Sequence, residues 1–198
     1  MNEVAMMVAV AVFGYLLGSI PFGWVLSRAA GLGDIRAIGS GNIGATNVLR
    51  TGRKDIAALT LALDAAKGAV AVLVAGTQAG AVWALVAGVA AVVGHCTSVW
   101  MRGRGGKGVA TGLGVVLAIA WPVGLACCAA WLAVAKLTKL SSAAALAAFT
   151  LAPVLMLLWR GSTPALAVAA VCAIVVLRHA SNIRRLLAGT EPRIGQGK

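Results

Sequence analysis

The sequence has very few charged side chains, and this scarcity limits what the chain can be. Only 11% of the 198 residues are charged and five are acidic, whereas 61% are hydrophobic. A soluble domain usually has about a quarter charged residues, because it must cover its surface with groups that water solvates. This chain cannot cover a water-facing globule, so the lipid bilayer must supply much of its solvent.

Metal-ligating and nucleophilic side chains are also scarce. The four cysteines lie in or beside apolar runs without the spacing of a metal site, and we interpret them as small core-packing residues. No convincing Ser-His-Asp arrangement is present among five acidic residues and two histidines. Several aspartates on membrane helices, which a divalent metal would need, are missing as well. We therefore expect no metal site.

Long apolar runs predict the membrane helices. A helix needs about 20 residues to cross the hydrocarbon core of a bilayer. The breaks between the runs are short, which predicts one all-α integral membrane domain over residues 1–198. The first run predicts a retained span rather than a cleaved signal peptide. The predicted spans cover residues 4–27, 56–75, 80–100, 109–135, 141–159 and 163–177.

Basic residues predict the orientation of this bundle. Of the 17 basic residues, 15 lie in segments 28–54, 102–107, 136–139 and 178–198. The positive-inside rule places such segments in the cytoplasm. We therefore expect the N-terminus outside and the C-terminus in the cytoplasm.

The run at 109–135 then has to cross the membrane an even number of times, because the basic segments on either side of it face the cytoplasm. Trp121-Pro122 stands in its middle, where tryptophan favours an interface and proline favours a helix start. We predict a short hairpin here and about seven transmembrane helices in total. A single tilted span, with Lys136 outside, is the alternative.

The first basic segment carries a glycine-rich polar loop. Gly39, Gly41 and Gly44 permit backbone conformations in which successive N–H groups form an anion-binding nest. Arg50 adds a permanently charged fork suited to phosphate oxygens. Hydroxyl and amide side chains offer further donors: Ser40, Asn42, Thr46 and Asn47. We interpret this segment as a phosphate-binding loop rather than a flexible turn with helix caps.

A charged pair stands inside the second apolar run. Asp64 and Lys67 are three residues apart, so they share one helix face. Buried charges in a membrane bundle are costly, and they face a cavity or one another. Two interpretations stay open: a self-neutralising pair that orients the helix, or a direct substrate contact by Lys67.

Two further segments have the same basic and polar character. Glycines surround Lys107 just before an apolar helix, and a helix N-terminus with a lysine suits an anionic group. The spacing of a Walker A loop is missing. Near the last span, His179 and Asn182 lie on one helical face beside several arginines, for which a lipid headgroup contact is the simpler interpretation.

Together these segments resemble the acyl-phosphate-dependent glycerol-3-phosphate acyltransferases, small bacterial membrane enzymes that begin phospholipid synthesis. The resemblance implies transfer of an acyl group from a fatty acyl phosphate to the 1-hydroxyl of glycerol 3-phosphate, which releases lysophosphatidate and inorganic phosphate. It also implies a seven-helix bundle in the bacterial cytoplasmic membrane, with the active site facing the cytoplasm. It rests on five segments in order: 18–23, 39–50, 64–68, 94–111 and 178–191.

The resemblance also implies roles for the candidate residues. The loop side chains would cradle phosphate, Lys107 would neutralise the leaving phosphate, and His179 with Asn182 would position glycerol 3-phosphate. The candidate catalytic residues are Ser40, Arg50, Lys107, His179 and Asn182. The candidate substrate-binding residues are Gly39, Gly41, Asn42, Gly44, Thr46, Asn47, Lys67, Arg104, Gly105, Gly106 and Gly108.

Partners and alternatives follow from the same chemistry. The mixed anhydride is already activated, so we expect no cofactor. The expected partners are the two substrates and the lipid bilayer, with the soluble acyl-phosphate synthase as a candidate protein partner and no nucleic acid. The proton acceptor stays open among His179, His95 and a substrate phosphate. A transporter or channel for phosphate-bearing solutes is the competing class, although we find no convincing internal repeat of the kind transporters show.

Overall fold

The computed structural model describes residues 2–195, and α-helices dominate this range. Lys198, the last residue of the predicted basic tail, lies outside the described residues. Short turns and three 3-10 turns connect the helices. The helices of this range are α1 (Glu3–Ser19), α2 (Phe22–Ala29), α3 (Ala45–Val48), α4 (Lys54–Ala79), α5 (Ala81–Cys96), α6 (Val109–Ile119), α7 (Trp121–Thr138), α8 (Ser141–Arg160), α9 (Ser162–Arg178) and α10 (Ala180–Leu187).

Apolar helices of membrane-spanning length confirm a multi-pass membrane protein. Within the described residues, five segments are long and apolar enough to cross a bilayer, and α9 with α10 makes a sixth that bends by 61°. Helix α6 is apolar but has only 11 residues. The five segments are Glu3–Ala29, Lys54–Ala79, Ala81–Met101, Trp121–Thr138 and Ser141–Arg160.

Two proline-associated breaks divide the predicted spans. The break predicted at Trp121-Pro122 is confirmed, since α6 ends at Ile119 and α7 begins at Trp121 with proline in its first turn. The segment 109–135 is therefore not one continuous helix. The first predicted span, 4–27, is also broken: α1 ends at Ser19 and α2 begins after Pro21. Proline has no N–H to donate and fixes its own backbone angle, so the helix does not continue through it.

The directions of the helices put the N-terminus and the basic loops at opposite ends of the bundle. Helices α4 and α5 turn back at Gly80, and α5 runs parallel to α1, because Gly14 faces Ala87 and Gly18 faces Ala91. A Cβ at either glycine would overlap the backbone of the facing alanine. Small residues let membrane helices approach this closely. The start of α1 therefore lies near the α4–α5 turn, away from the loop that follows α5.

Contacts among the four basic segments show that they converge at one end. The Thr46 and Ser141 hydroxyls lie 3.1 Å apart. The backbone N–H of Ile194 donates to the Lys139 carbonyl over 2.7 Å. At the other end of the bundle, Arg160 donates to the Ile119 carbonyl over 3.3 Å. The end formed by segments 28–54, 97–108, 136–141 and 178–195 is called the basic end below.

Candidate active site

A cavity of about 550 Å³ lies at the basic end, and it has a polar part and an apolar part. Its polar part is formed by side chains from three separate stretches of the chain: Ser40, Arg50, Lys107, His179 and Asn182. The apolar part lies among α4, α6 and α7, where it is lined by Leu61, Leu113, Leu117, Trp131 and Leu132. A ligand with an anionic head and an aliphatic tail would find a matching surface for both.

A shallower pocket of about 370 Å³ adjoins the polar part and shares three of its residues. Ser40, Asn42 and Lys107 line both spaces. The shallower pocket adds Gly41, Gly105, Gly106, Arg178 and Ser181. The two spaces together are large enough for two phosphorylated molecules to lie near the same lysine.

Most of the predicted site residues meet at these two spaces. All five predicted catalytic residues line the cavity. Gly39, Lys67 and Arg104 are not among the lining residues of either space in the described structure. The predicted binding residues that do line them are Gly41, Asn42, Gly44, Thr46, Asn47, Gly105, Gly106 and Gly108.

Asn47 holds the first loop together, and this corrects its predicted role as a phosphate donor. Its amide nitrogen donates to the carbonyls of Ile35 and Ile38 over 2.9 and 3.0 Å. Its carbonyl oxygen accepts from the Ser40 N–H over 3.1 Å. With both amide protons used inside the loop, Asn47 organises the loop but has no proton left for phosphate.

The predicted backbone nest is also not formed at the first two positions of the loop. The Ser40 N–H goes to Asn47, and the Gly41 N–H donates to the Ile38 carbonyl over 3.0 Å. Gly39 has a different role from the predicted one. It has a φ of +54°, and a Cβ there would lie 2.5 Å from Arg50 Nη1. Glycine at this position thus leaves room for the Arg50 guanidinium.

The loop before α6 is likewise tied down by its own backbone. The N–H groups of Gly105 and Gly106 donate to the carbonyls of Cys96 and His95, so they do not offer the predicted free donors. Their own carbonyls accept from Arg178, with Nε 3.2 Å from the Gly106 oxygen and Nη2 3.3 Å from the Gly105 oxygen. The first turn of α6 still lines the cavity, and its N-terminal end favours an anion.

Lys107 is the cation in the centre of this site. Burial lowers the pKa of its ammonium to about 8. Glu191 opposes this shift, whereas three cations strengthen it: Arg185, Arg50 and Arg178. A bound phosphate would compensate for these repulsions, which makes the site complementary to an anion.

His179 presents one free ring nitrogen to the cavity. Its Nδ1 lies 2.7 Å from the Val175 carbonyl oxygen. A carbonyl can only accept, so Nδ1 carries the proton and Nε2 of the neutral ring has the lone pair. His179 is 2% exposed and stands at the bend between α9 and α10.

Glu191 holds the chain after α10 against the site. Its carboxylate accepts from Asn182 Nδ2 over 2.6 Å and from Arg185 Nε over 2.7 Å. Burial opposes ionisation, but the hydrogen bonds from Asn182 and Arg185 keep the pKa of Glu191 below its ordinary value. Glu191 ends the segment 178–191 that carries the family resemblance, but no role was predicted for it.

The Asp64–Lys67 pair is buried below the cavity. Lys67 Nζ lies 2.9 Å from Asp64 Oδ1 and donates to the Ile20 carbonyl over 2.7 Å. The Lys67 side chain is 1% exposed, so this geometry favours the self-neutralising pair over a direct substrate contact. Asp64 itself reaches the cavity wall, as does His95, whose Nδ1 lies 3.6 Å from Asp64 Oδ1.

Several residues of the site were not predicted. Ser141, Ser142 and Trp131 belong to α7 and α8, where the sequence shows only an apolar run with a short polar break. The one available signal was the pair of adjacent serines after Lys139. Arg178 had the signal of a basic residue next to His179, but its partners are backbone carbonyls that no pattern could identify.

Comparison with known proteins identifies the family of this chain. A family model described as glycerol-3-phosphate acyltransferase matches residues 8–189. The glycerol-3-phosphate acyltransferase of Gluconobacter oxydans (strain 621H) is 55% identical over 197 residues, which covers 96% of this chain and 94% of that protein. The one of Maricaulis maris (strain MCS10) is 54% identical over 198 residues, which covers 100% of this chain and 92% of that protein.

Two solved structures have the same fold. The crystal structure of PlsY (YgiH), an integral membrane glycerol 3-phosphate acyltransferase, in its glycerol 3-phosphate form matches with a TM-score of 0.90, 36% identity and 96% of both chains covered. Its lysophosphatidic acid form matches with a TM-score of 0.88, 35% identity and coverage of 96% of this chain and 95% of that one. On this evidence the chain belongs to the glycerol-3-phosphate acyltransferase family.

Proposed function

We propose that this enzyme transfers the acyl group of a fatty acyl phosphate to the 1-hydroxyl of glycerol 3-phosphate. The main support for this function is that one cavity has both a cationic part and an apolar part. Arg50 and Lys107 stand in the polar part, and the α6–α7 hairpin lines the apolar part. A fatty acyl phosphate has this amphiphilic character, and glycerol 3-phosphate needs only the polar part.

The reaction proceeds by direct attack. The 1-hydroxyl oxygen of glycerol 3-phosphate forms a bond to the carbonyl carbon of the acyl phosphate, and the bond from that carbon to the phosphate oxygen breaks. His179 Nε2 accepts a hydrogen bond from the attacking hydroxyl and orients it. The hydroxyl proton leaves on the departing phosphate, so that lysophosphatidate and inorganic phosphate are the products.

The cations of the site stabilise the charge that develops in this step. Lys107 neutralises the departing phosphate, and Arg50 binds a second phosphate through its planar fork. Ser40 and Asn42 add donors where the two spaces meet. Asn182 is held by Glu191 and places its carbonyl oxygen, which has no partner in the described structure, next to glycerol 3-phosphate.

The membrane topology that fits this function has seven crossings. The five longer segments, the short α6 and the bent α9–α10 pair make up these seven crossings. Because α6 and α7 each cross once in this topology, the chain returns to the basic end at Lys136 and Lys139. The positive-inside rule then puts this end in the cytoplasm and the N-terminus outside. In this proposal residues 1–198 form one transmembrane domain in the bacterial inner membrane, where a soluble acyl-phosphate synthase would supply the donor.

The test is an assay with the purified protein in detergent. Glycerol 3-phosphate with palmitoyl phosphate should give lysophosphatidate and inorganic phosphate, whereas a palmitoyl thioester should not replace the donor. A transporter needs two compartments and would release no phosphate in this assay. Lys107→Ala and Arg50→Ala should each lower kcat/KM by about 10²-fold or more, and Arg184→Ala, at an exposed position of α10, should not. Near-normal turnover of both site variants would contradict these roles.

A further inference from the structure

Two buried polar residues of the cavity wall have no part in the proposed reaction. Asp64 lies on α4 and His95 on α5, and their side chains are 3% and 4% exposed. His95 Nδ1 lies 3.6 Å from the same carboxylate oxygen, Asp64 Oδ1, that Lys67 Nζ contacts at 2.9 Å. Burying ionisable groups is costly within a membrane bundle, so a group of three in contact suggests a function beyond filling space.

The opposite side of the His95 ring touches the loop that carries Lys107. A Cβ at Gly106 would overlap His95 Nε2, which means that the ring packs directly against the Gly106 backbone. The Gly106 N–H also donates to the His95 carbonyl over 2.9 Å. Both the main chain and the side chain of His95 therefore contact the residue before Lys107.

Lys67 completes this group, and it is not among the residues that line the cavity in the described structure. Its ammonium contacts Asp64, the Ile20 carbonyl and the face of the Phe22 ring, whose centroid is 5.6 Å away. These contacts join the break between α1 and α2 to α4. The ammonium balances the Asp64 charge, and the carboxylate still has its edge directed at His95.

We propose that His95 is a positioning residue for Lys107, and that Asp64 acts through it. Asp64, neutralised by Lys67, fixes the orientation of the His95 ring, and the ring supports the Gly106 backbone against which it packs. Arg178 holds the same backbone through the two glycine carbonyls. The ammonium of Lys107 is thereby held at one place in the polar part of the cavity. This inference rests on the proposed function, in which Lys107 meets the departing phosphate.

Replacing His95 tests this directly. His95→Ala should lower kcat/KM for glycerol 3-phosphate by about 10²-fold, since a misplacement of about 1 Å costs this much. His95→Gln, which restores a polar side chain of similar reach, should recover part of the loss. The matched control is Thr60→Val, which removes a fully buried hydroxyl one turn away from Asp64 on the same helix. The control should stay within about twofold of the wild type, because the Thr60 hydroxyl donates within its own helix, to the Ile56 carbonyl over 2.8 Å, and takes no part in the contacts of Asp64 with Lys67 and His95.

The pH profile separates positioning from a general loss of structure. The alkaline limb of kcat/KM reports the free enzyme, and Lys107 has a pKa of about 8 because it is buried among charged groups. These groups are Glu191, Arg185, Arg50 and Arg178. Loosening the loop in His95→Ala should let water reach the ammonium and move the limb upward, toward the ordinary value of 10.5. An unmoved limb, at whatever activity, would overturn the proposal. If His95→Ala does not survive purification, the same two measurements on the double variant of Asp64 and Lys67 described next decide.

A double variant separates positioning from charge balance. Asp64→Asn alone leaves the Lys67 ammonium buried without its carboxylate, and the protein should lose thermal stability. Adding Lys67→Met removes the stranded charge and should restore stability. We expect the double variant to keep the kinetic defect and the shifted alkaline limb. Full recovery of kcat/KM would mean that the carboxylate serves only to neutralise Lys67, and the proposal would be wrong.

The wild-type assay distinguishes a failure of the proposed acyltransferase function from a failure of the positioning role of His95 and Asp64. If the wild type releases no phosphate from acyl phosphate, the proposed function itself fails. If the wild type is active and His95→Ala keeps normal kcat/KM, only the positioning role of His95 and Asp64 fails.

Discussion

Arg178 reaches from the end of α9 to Gly106 in the loop before α6, where its Nε donates to the glycine carbonyl over 3.2 Å. A second bond to Gly105 makes the guanidinium a two-point brace for the Lys107 loop. The same residue also lines the shallower pocket. Arg178 therefore both holds the loop in place and adds a positive charge to the site.

Arg178→Lys should therefore be a damaging substitution although it keeps the positive charge. A lysine has a single nitrogen and cannot bridge two carbonyls with a planar fork. We expect kcat/KM to fall by about 10-fold, by analogy with the loss of one to two hydrogen bonds from a charged donor. Steady-state phosphate release measures this, with Arg184→Lys on exposed α10 as the control. Equal activity of the two variants would show that the brace has no effect on catalysis.

The activity should fall in alkaline solution because of Lys107. Burial lowers its pKa to about 8, so the protonated form that neutralises phosphate is lost as the pH rises through that value. We expect kcat/KM to decline above about pH 8. Lys107→Arg keeps its charge throughout this range, since an arginine does not lose its proton in proteins. The variant should be less active but should show no decline between pH 8 and 10; a decline identical to that of the wild type would assign the limb to another group.

Glu191 should contribute to stability in a pH-dependent way. Its pKa in the folded protein lies below the ordinary value of 4.5, so the contribution is present above about pH 4.5 and is lost as the pH falls through the folded pKa. Glu191→Ala should cost about 2 kcal/mol at pH 7, because Asn182 and Arg185 lose a charged acceptor. Thermal unfolding in detergent should show a difference between wild type and variant that narrows below pH 4.5. Glu191→Gln keeps an acceptor for Asn182, so its thermal stability at pH 7 should lie between those of the wild type and Glu191→Ala.

Glycines at helix contacts should differ sharply in their tolerance of alanine. A Cβ at Gly18 would overlap the Ala91 carbonyl oxygen, so Gly18→Ala forces α1 away from α5 and should cost about 1 to 3 kcal/mol. At Gly76 the nearest atom to a Cβ is that of Ala84 at 3.4 Å. Gly76→Ala should be neutral or stabilise by up to about 1 kcal/mol, because alanine is the better helix former. Melting temperatures of the two variants in the same detergent provide the comparison, and similar values would contradict the parallel α1–α5 contact.

Filling the apolar part of the cavity should affect one substrate only. Cys128 lines the cavity, whereas Leu125 on the same helix is 53% exposed on the outer surface. Cys128→Phe should raise KM for palmitoyl phosphate by about 10-fold, the effect of one or two misplaced methylenes in a hydrophobic pocket. The KM for glycerol 3-phosphate should not change. Leu125→Phe is the matched control, and a uniform effect on both substrates would argue against an acyl-chain role for this part of the cavity.

The sequence was informative where a local rule decides the structure. The α6–α7 break could be predicted because Trp121-Pro122 combines an interface residue with a helix-starting one, and because the basic segments on either side required an even number of crossings. The break at Pro21 was missed although proline gave the same signal, since hydropathy continues through it. At Pro21, unlike at Trp121-Pro122, no flanking basic segments required a second crossing. The sequence pattern therefore did not distinguish this broken helix from an unbroken one.

The candidate residues likewise divide into those that the sequence predicted correctly and those whose roles depend on distant neighbours. Arg50 and Lys107 were predicted as cavity cations and both line the cavity. Lys67 was predicted with them, but its ammonium is used by Asp64 and Ile20, and Ile20 is 47 positions away. Asn47 was also predicted to be a free donor, but in the structure its amide nitrogen donates to two backbone carbonyls. Residue type indicates what a group can bind, and only its neighbours decide whether it is still available.

The sequence by itself determined that the chain lies in a membrane, that its basic segments share one end, and that its polar loops suit phosphate. These properties follow from transfer of side chains between water and lipid, which depends on each residue and its immediate neighbours. Only the tertiary structure decided which donors reach the cavity, how Arg178 and His95 hold the Lys107 loop, and where the apolar part opens. Those depend on distances between residues far apart in the chain, and close packing of the helices sets such distances.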